Sequence, residues 1–212
     1  MGGDSRFNME RGNLFIISAP SGAGKTTLCR RVLKKIPDLV FSISHTTRSP
    51  RAGEISGSDY YFVSSEEFDR LVCEGAFIEW ARVHDHCYGT SRKEVLYRME
   101  HGLDVLLDID IQGAREVVSI FADAVTVFIL PPSLSELEKR LIGRGTEDIA
   151  ELQMRLDNAR KELRAVEEYE FAVLNDDLDR AVTDFTGIVL AFRNRTVRTL
   201  QRPGLAEALQ IG

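Results

Sequence analysis

The run Ser18-Ala19-Pro20-Ser21-Gly22-Ala23-Gly24-Lys25-Thr26-Thr27 lies between a short apolar stretch and a segment with helical spacing. Its composition suits the holding of a phosphate chain. Glycines let backbone N–H groups turn inward around phosphate oxygens, a lysine reaches the outer phosphates, and a threonine hydroxyl can hold Mg2+. The N-terminus of the helix that follows adds a favourable partial charge. The strict pattern G-x-x-x-x-G-K-[ST] has its first glycine replaced by Ala19, a residue small enough to fit beside a strand. A glycine-rich strand-to-helix turn carrying an exposed lysine is the plainer alternative.

Three further clusters extend this chemistry. Val105-Leu106-Leu107-Asp108-Ile109-Asp110 sets Asp108 at the carboxyl end of an apolar strand, where doubly wound sheets bind ligands. An aspartate at that point can hold Mg2+ through water. Asp110, two residues on, is expected on the same face. Arg48 and Arg51 lie in the loop around Ser44-His45-Thr46-Thr47, with Tyr60 and Tyr88 nearby in sequence. Guanidinium forks and phenol hydroxyls together suit a second phosphate group. Arg140, Arg144 and Arg155 surround Gly143 and Gly145. A glycine-hinged arginine segment is what a closing lid requires, since arginines stabilise charge during phosphoryl transfer and closure excludes water. Taken singly, each cluster also reads as a solvated strand end, a polar loop or a salt-bridged helix.

The elements that must position these groups alternate. Leu14–Ile17 reads as a buried strand and Thr26–Ile36 as a helix ended by Pro37; Val105–Ile109, Ala124–Leu130 and Phe171–Leu174 are further strands. Helices are expected from Ser91 to about His101, from Gln112 to Phe121, after Ser133, and from Asp177 onward. The pattern is that of an α/β fold with a doubly wound parallel sheet. Two polar, arginine-bearing stretches interrupt it. Residues 41–95 read as an inserted α+β lobe, with strands at Tyr60–Val63 and Phe77–Trp80 and a capping box at Ser64–Glu67, and residues 143–169 read as a helical lid. The core is then divided into 13–40, 96–142 and 170–200, with flexible tails at 1–12 and 201–212.

Composition sets bounds on the rest. The chain has 212 residues, 43% of them hydrophobic and 28% charged, so it can bury a substantial core and is neither disordered nor fibrous. Its net charge of −6 argues against bulk binding of nucleic acid or a membrane surface, though not against a local anion pocket. No apolar run reaches the ~18 residues of a membrane span. Met1–Gly12 lacks the apolar segment of a secretory signal, and Arg6 departs from the myristoylation pattern that Gly2 would begin. Three cysteines without a C-x-x-C pair (Cys29, Cys73 and Cys87) are expected as reduced thiols in the cytoplasm. His84-Asp85-His86-Cys87 is a single short segment with no second ligand cluster, which makes a poor metal site.

The runs SAPSGAGKTT, TTRSPRAGE, DYYFV, FIEW, YGT, LDIDIQG, RLIGRGTE and VLNDDL, in this order over about residues 13–195, closely resemble guanylate kinases, nucleoside monophosphate kinases with a P-loop core. The resemblance implies transfer of the γ-phosphoryl group of ATP to GMP, and to dGMP, in purine nucleotide metabolism. It implies that residues 19–27 (Ala19, Pro20, Ser21, Gly22, Ala23, Gly24, Lys25, Thr26 and Thr27) bind ATP, with Asn175 near adenine. Thr26 and Asp108 would hold Mg2+. Ser44, Glu79 and Thr90 would contact guanine, and Arg48, Arg51, Tyr60 and Tyr88 the GMP phosphate, with Asp110 near the acceptor. Lys25, Arg140, Arg144 and Arg155 would act on the transferred phosphoryl group.

The guanine assignment is chemically sound. Guanine offers N1–H and N2–H2 on one edge, so a carboxylate such as Glu79 accepts from both, whereas adenine presents a lone pair at N1. Two departures from the family pattern stand out, Ala19 for glycine and His45 where some members carry serine. The alternatives are a non-catalytic guanylate-kinase-like module that binds peptides, and a kinase of the same fold acting on another phosphorylated acceptor such as a ribose bisphosphate. The intact loop and arginines argue against the first, and Glu79, Tyr88 and Thr90 against the second. Oligomeric state is not legible.

Overall fold

A computed structural model describes residues 11–83, 85–142, 149–200, 202 and 204–211. Leu14–Ser18 (β1) is buried along its whole length, as a strand covered on both faces must be. Its side chains alternate between two cores. Phe15 and Ile17 join Leu28, Cys29 and Val32 of helix α1 (Lys25–Lys35), while Leu14 and Ile16 point into the opposite cluster. The five-stranded sheet is parallel throughout, in the order β2-β7-β1-β8-β9, with β2 at Leu39–Phe41, β7 at Asp104–Asp108, β8 at Val125–Leu130 and β9 at Phe171–Leu174. β1 sits at its centre and hands the chain to the loop at its carboxyl end. The α/β class expected from the alternation is the observed one.

A second, four-stranded sheet runs β4-β3-β6-β5. It comprises His45–Thr46 (β3), Tyr61–Phe62 (β4), Phe77–Val83 (β5) and His86–Ser91 (β6). Helix α2 (Ser65–Cys73) begins at the expected capping box, where the Ser64 hydroxyl accepts the Glu67 N–H at 3.2 Å. Helix α3 (Arg92–Glu100) starts likewise at Ser91, which caps the Glu94 N–H. Two strands here were not expected from the sequence, β3 and β6, and β2 is a third in the main sheet. All three are short or polar, and they owe their extended form to distant partners: His45 pairs with Gly89 and Tyr61, and Ala81 with Tyr88.

Helix α4 (Ile111–Ile120) follows β7, α5 (Leu134–Ile142) follows β8, and α6 (Ile149–Leu163) leads into a 3-10 turn at Arg164–Glu168. Leu137 and Leu141 of α5 pack with Leu156 and Ala159 of α6 in a small core of their own. The expected hinge glycines, Gly143 and Gly145, lie outside the described residues. Helix α7 (Leu178–Arg193) covers the sheet with Ala181, Val182, Phe185, Val189 and Phe192. Two short helices, α8 (Thr196–Thr199) and α9 (Leu205–Leu209), follow it; the tail was expected to be loose beyond Arg202.

One buried charge ties this C-terminal part to the sheet. Asp104 opens β7 and is 1% exposed. Its carboxylate accepts the Asn13 backbone N–H at 2.7 Å, Arg193 Nε at 2.6 Å and Arg198 Nη1 at 3.3 Å. Removing one side of such a cluster strands the other's charge. Asp104→Ala is expected to lower the unfolding free energy by about 3 kcal/mol in urea denaturation. Arg193→Ala should cost less on that background than in the parent chain, the mark of a shared network.

Candidate active site

The loop after β1 is shaped by its glycines. Gly22 and Gly24 hold φ of +88° and +89°, the left-handed region where a side chain is strained. A Cβ on Gly22 would also press on Leu137 and Leu141, at 3.0 and 3.1 Å, so α5 sits directly on the loop. Ala19 is partly buried and packs against the main core, where a small residue fits beside the strand. The Ala23 N–H closes a turn on the Pro20 carbonyl at 3.1 Å.

Gly24 is also the N-cap of α1, and the helix has no acidic residue in its first turn. The positive end of the helix therefore faces no acid from its own first turn. Thr26 and Thr27 are exposed there. Lys25 forms an ion pair with Asp108, which the parallel register sets opposite Ile17 at the end of β7. Ser18, fully buried, donates to the Ile109 carbonyl at 2.9 Å and closes the gap between the two strand ends.

Beside the loop lies a cavity of about 460 Å³ lined by Gly22, Gly24, Thr27, Arg140, Asn175 and Asp176, among others. Arg140 pairs with Glu136 at 3.3 Å and reaches the Asn175 backbone carbonyl at 3.4–3.5 Å. Arg155 is half-buried on α6; Arg144 lies outside the described residues. Glu162 on α6 faces the Ser21 N–H. Burial pushes its carboxyl above the usual range, and that N–H and Lys25 pull it back.

The second cluster forms on the four-stranded sheet. Glu79 of β5 is 6% exposed and accepts a short hydrogen bond from the Thr90 hydroxyl of β6. Burial pushes its carboxyl up to about 7; Thr90 opposes the rise, while Asp110 and Glu116 add to it. Arg48 lies 5.4 Å from the Tyr60 ring centre and 5.7 Å from that of Phe62, and Tyr60 meets Tyr88 edge to face at 6.0 Å. Arg51 is exposed, and the Ser44 carbonyl accepts the Tyr61 N–H at 2.9 Å. His45 stacks on Tyr61 at 4.8 Å, and Cys87 packs with Phe68 and Phe77.

Asp110 differs from its expected setting. β7 ends at Asp108, so Asp110 does not share a strand face with it. It is instead the N-cap of α4, accepting the Gly113 N–H at 2.7 Å. A helix start, rather than strand alternation, sets its direction. It still reaches the second cluster, because a Cβ on Gly113 would lie 2.9 Å from Glu79 Oε2 and 3.3 Å from Asp110 Oδ1. Glycine at this position leaves room for the Glu79 carboxylate against α4.

Two residues of this cluster were not singled out from sequence. Glu54 holds Arg48 at 2.8 Å and accepts the Arg51 backbone N–H at 2.7 Å, so one carboxylate shapes the whole arginine loop. Its signal was an acid three residues beyond the second arginine. Gly113 gave no local signal at all, since its role lies in a contact with a distant strand.

Comparison with known proteins gives a consistent result. The family model described as guanylate kinase matches residues 11–191. A guanylate kinase of Syntrophotalea carbinolica is 51% identical over 193 residues, covering 91% of this chain and 92% of that protein. One from Caldanaerobacter subterraneus is 50% identical over 189 residues, covering 89% and 92%. The crystal structure of guanylate kinase from Anaplasma phagocytophilum superposes with a TM-score of 0.75 at 33% identity, covering 95% of each chain.

The burial of Glu79 has a consequence for stability that needs no substrate. A carboxyl raised from 4.5 to about 7 binds its proton more tightly in the folded chain. Its contribution is therefore favourable at low pH and is lost as pH rises through that window. Glu79→Gln is expected to be more stable than the parent at pH 8, by on the order of 3 kcal/mol, and the difference should vanish near pH 4.5. Urea unfolding at several pH values reads this directly; a difference independent of pH would defeat it.

Proposed function

The chain belongs to the guanylate kinase family, and from that premise we propose how its residues divide the transfer of the γ-phosphoryl group of ATP to GMP. The observation that carries the reading is the Lys25–Asp108 pair at the mouth of an intact phosphate loop. Lys25 is the cation that follows the moving phosphoryl group. The N–H groups of the loop and of the first turn of α1 hold the phosphate chain. Arg140, Arg144 and Arg155 neutralise charge on the equatorial oxygens, and closure of the 143–169 segment excludes water.

Mg2+ belongs at Thr26 and Asp108. A hydroxyl and a carboxylate are hard oxygen donors, and the ion is ordinarily held by one or two such groups together with substrate phosphates. When bound, the ion neutralises charge shared between the β- and γ-phosphates.

The four-stranded sheet is the acceptor lobe. Ionised Glu79, oriented by Thr90, accepts from guanine N1–H and N2–H2, and Asp110 and Ser44 complete the base contacts. Arg48, Arg51, Tyr60 and Tyr88 hold the GMP phosphate, with Glu54 as the brace that keeps Arg48 in place. A GMP phosphate oxygen forms the new bond to Pγ as the bond from Pγ to the bridging oxygen of ATP breaks, and ADP leaves with that electron pair. The acceptor oxygen is already ionised at neutral pH, so no strong general base is required. The site holds dGMP by the same contacts.

The reaction belongs to the cytoplasm. Cys29, Cys73 and Cys87 are all free thiols, and no described helix is long and apolar enough to cross a membrane. A peptide-binding role for the acceptor lobe is not favoured, because the phosphate loop is intact and its lysine in place.

A coupled ADP-release assay with ATP, Mg2+ and each of GMP, AMP, UMP and CMP tests this reading. Turnover with GMP is expected to exceed that with the others by at least ~10². Lys25→Met should lose about 10³ or more in kcat while binding GMP nearly as the parent does. Saturable GMP binding without ADP release would point to a binding module, and full kcat in Lys25→Met would remove the phosphate loop from the mechanism.

A further inference from the structure

Asn175 follows β9 at the edge of the 460 Å³ cavity, at the position for which the family resemblance implies a neighbour of adenine. Nδ2 donates to the Ala23 carbonyl at 2.7 Å in a buried contact, and the residue is 6% exposed. A Cβ on Gly24 would collide with that nitrogen, so the amide packs directly against the glycine.

Peptide planarity gives this bond its meaning. In a trans peptide the C=O and the following N–H point in opposite directions. Holding the Ala23 carbonyl towards Asn175 therefore aims the Gly24 N–H away from it. A peptide next to a left-handed glycine turns over at little steric cost, so its direction must be set from outside. Asn175 is itself well anchored. Its N–H donates to the Leu130 carbonyl at 2.8 Å, and its carbonyl accepts from Arg140 at 3.4–3.5 Å. One residue thus carries both a peptide of the phosphate loop and an arginine that faces the same cavity.

We propose that Asn175 is a positioning residue of the phosphate site: its side chain locks the Ala23–Gly24 peptide with the Gly24 N–H turned towards the phosphate chain, and it does not read the base. Its ligand class is a magnesium-complexed polyphosphate, whatever nucleoside is attached. The inference rests on the phosphotransfer reading only in taking the loop as the polyphosphate site.

The test separates phosphate from base. The parent chain, Asn175→Ala and Asn175→Asp are titrated by calorimetry with ATP, inorganic tripolyphosphate and GMP, each with Mg2+. Losing a buried hydrogen bond and stranding the Ala23 carbonyl should weaken ATP and tripolyphosphate by the same factor, about tenfold. GMP affinity should stay within about twofold, since its site is on the other sheet and depends only on a folded chain. Asn175→Asp, isosteric with the parent, should be worse than Asn175→Ala, because it sets a carboxylate against a carbonyl beside the phosphates. Weaker ATP with unchanged tripolyphosphate would make Asn175 a base reader and overturn the proposal, as would no change in either.

A measurement on the parent chain needs no variant. The Asn175 side-chain amide resonance should shift alike with ATP and with tripolyphosphate and should ignore adenosine; a response to adenosine alone would also overturn the proposal. If the parent binds tripolyphosphate but forms no ADP with GMP, the kinase reading fails while these outcomes keep their meaning.

Discussion

The ion pair between Lys25 and Asp108 depends on nearly every other feature of the core. It needs β1 and β7 side by side in parallel, in the register that sets Ile17 against Asp108. It needs the chain to leave β1 at Ser18, turn through two left-handed glycines and begin α1 at Lys25 itself. A slip of one residue in either strand would turn the carboxylate to the other face. The two cores that grip alternate side chains of β1 therefore set the geometry of charge at the carboxyl edge as well as the stability of the sheet. The pair also keeps a lysine in place beside the positive end of a helix, where two like charges would otherwise repel.

The second sheet solves a different electrostatic problem. The carboxylate we propose as acceptor of two hydrogen bonds from a base must be shielded from water, and shielding makes the charged form costly. Glu79 is held between these demands by the Thr90 hydroxyl, which favours the charge, and by burial with Asp110 and Glu116 nearby, which oppose it. The arginine loop answers the opposite need. Arg48 is held by Glu54, by the Ser49 backbone carbonyl at 2.8 Å and by two aromatic rings, so its guanidinium has a fixed place in the loop.

Much of this was legible in the sequence because it rests on local rules. The phosphate loop lies within ten consecutive residues, capping boxes at Ser64 and Ser91 start their helices as written, and continuous apolar runs mark β1, β7 and β8. What was not legible depends on partners far along the chain. β6 has the polar sequence HCYGTS and is a strand only because β3 and β5 flank it. Asp104 looks like a loop residue before an apolar run, and its burial follows from Arg193 and Arg198, some ninety positions away. Asp110 keeps its neighbourhood but owes its direction to a helix cap, because the strand ends two residues earlier than alternation assumed. Arg140 and Arg155 lie on the helices expected to carry them, while the hinge between those helices falls outside the described residues.

Gly113 connects the two halves of the site. It lies in the first turn of α4, which begins just after the strand that carries Asp108, and it faces Glu79 on the other sheet. A side chain there would press on two carboxylates at once, that of Glu79 on the second sheet and that of the cap Asp110. One short stretch, Asp108 to Gly113, thus links the lysine–aspartate pair to the buried glutamate. That stretch is anchored at one end by the β1–β7 ladder and at the other by the Asp110 cap. For the proposed reaction, so short a link limits the ordering needed to bring two bound anions to one reacting distance, which is where the entropic advantage of a positioned bimolecular reaction originates.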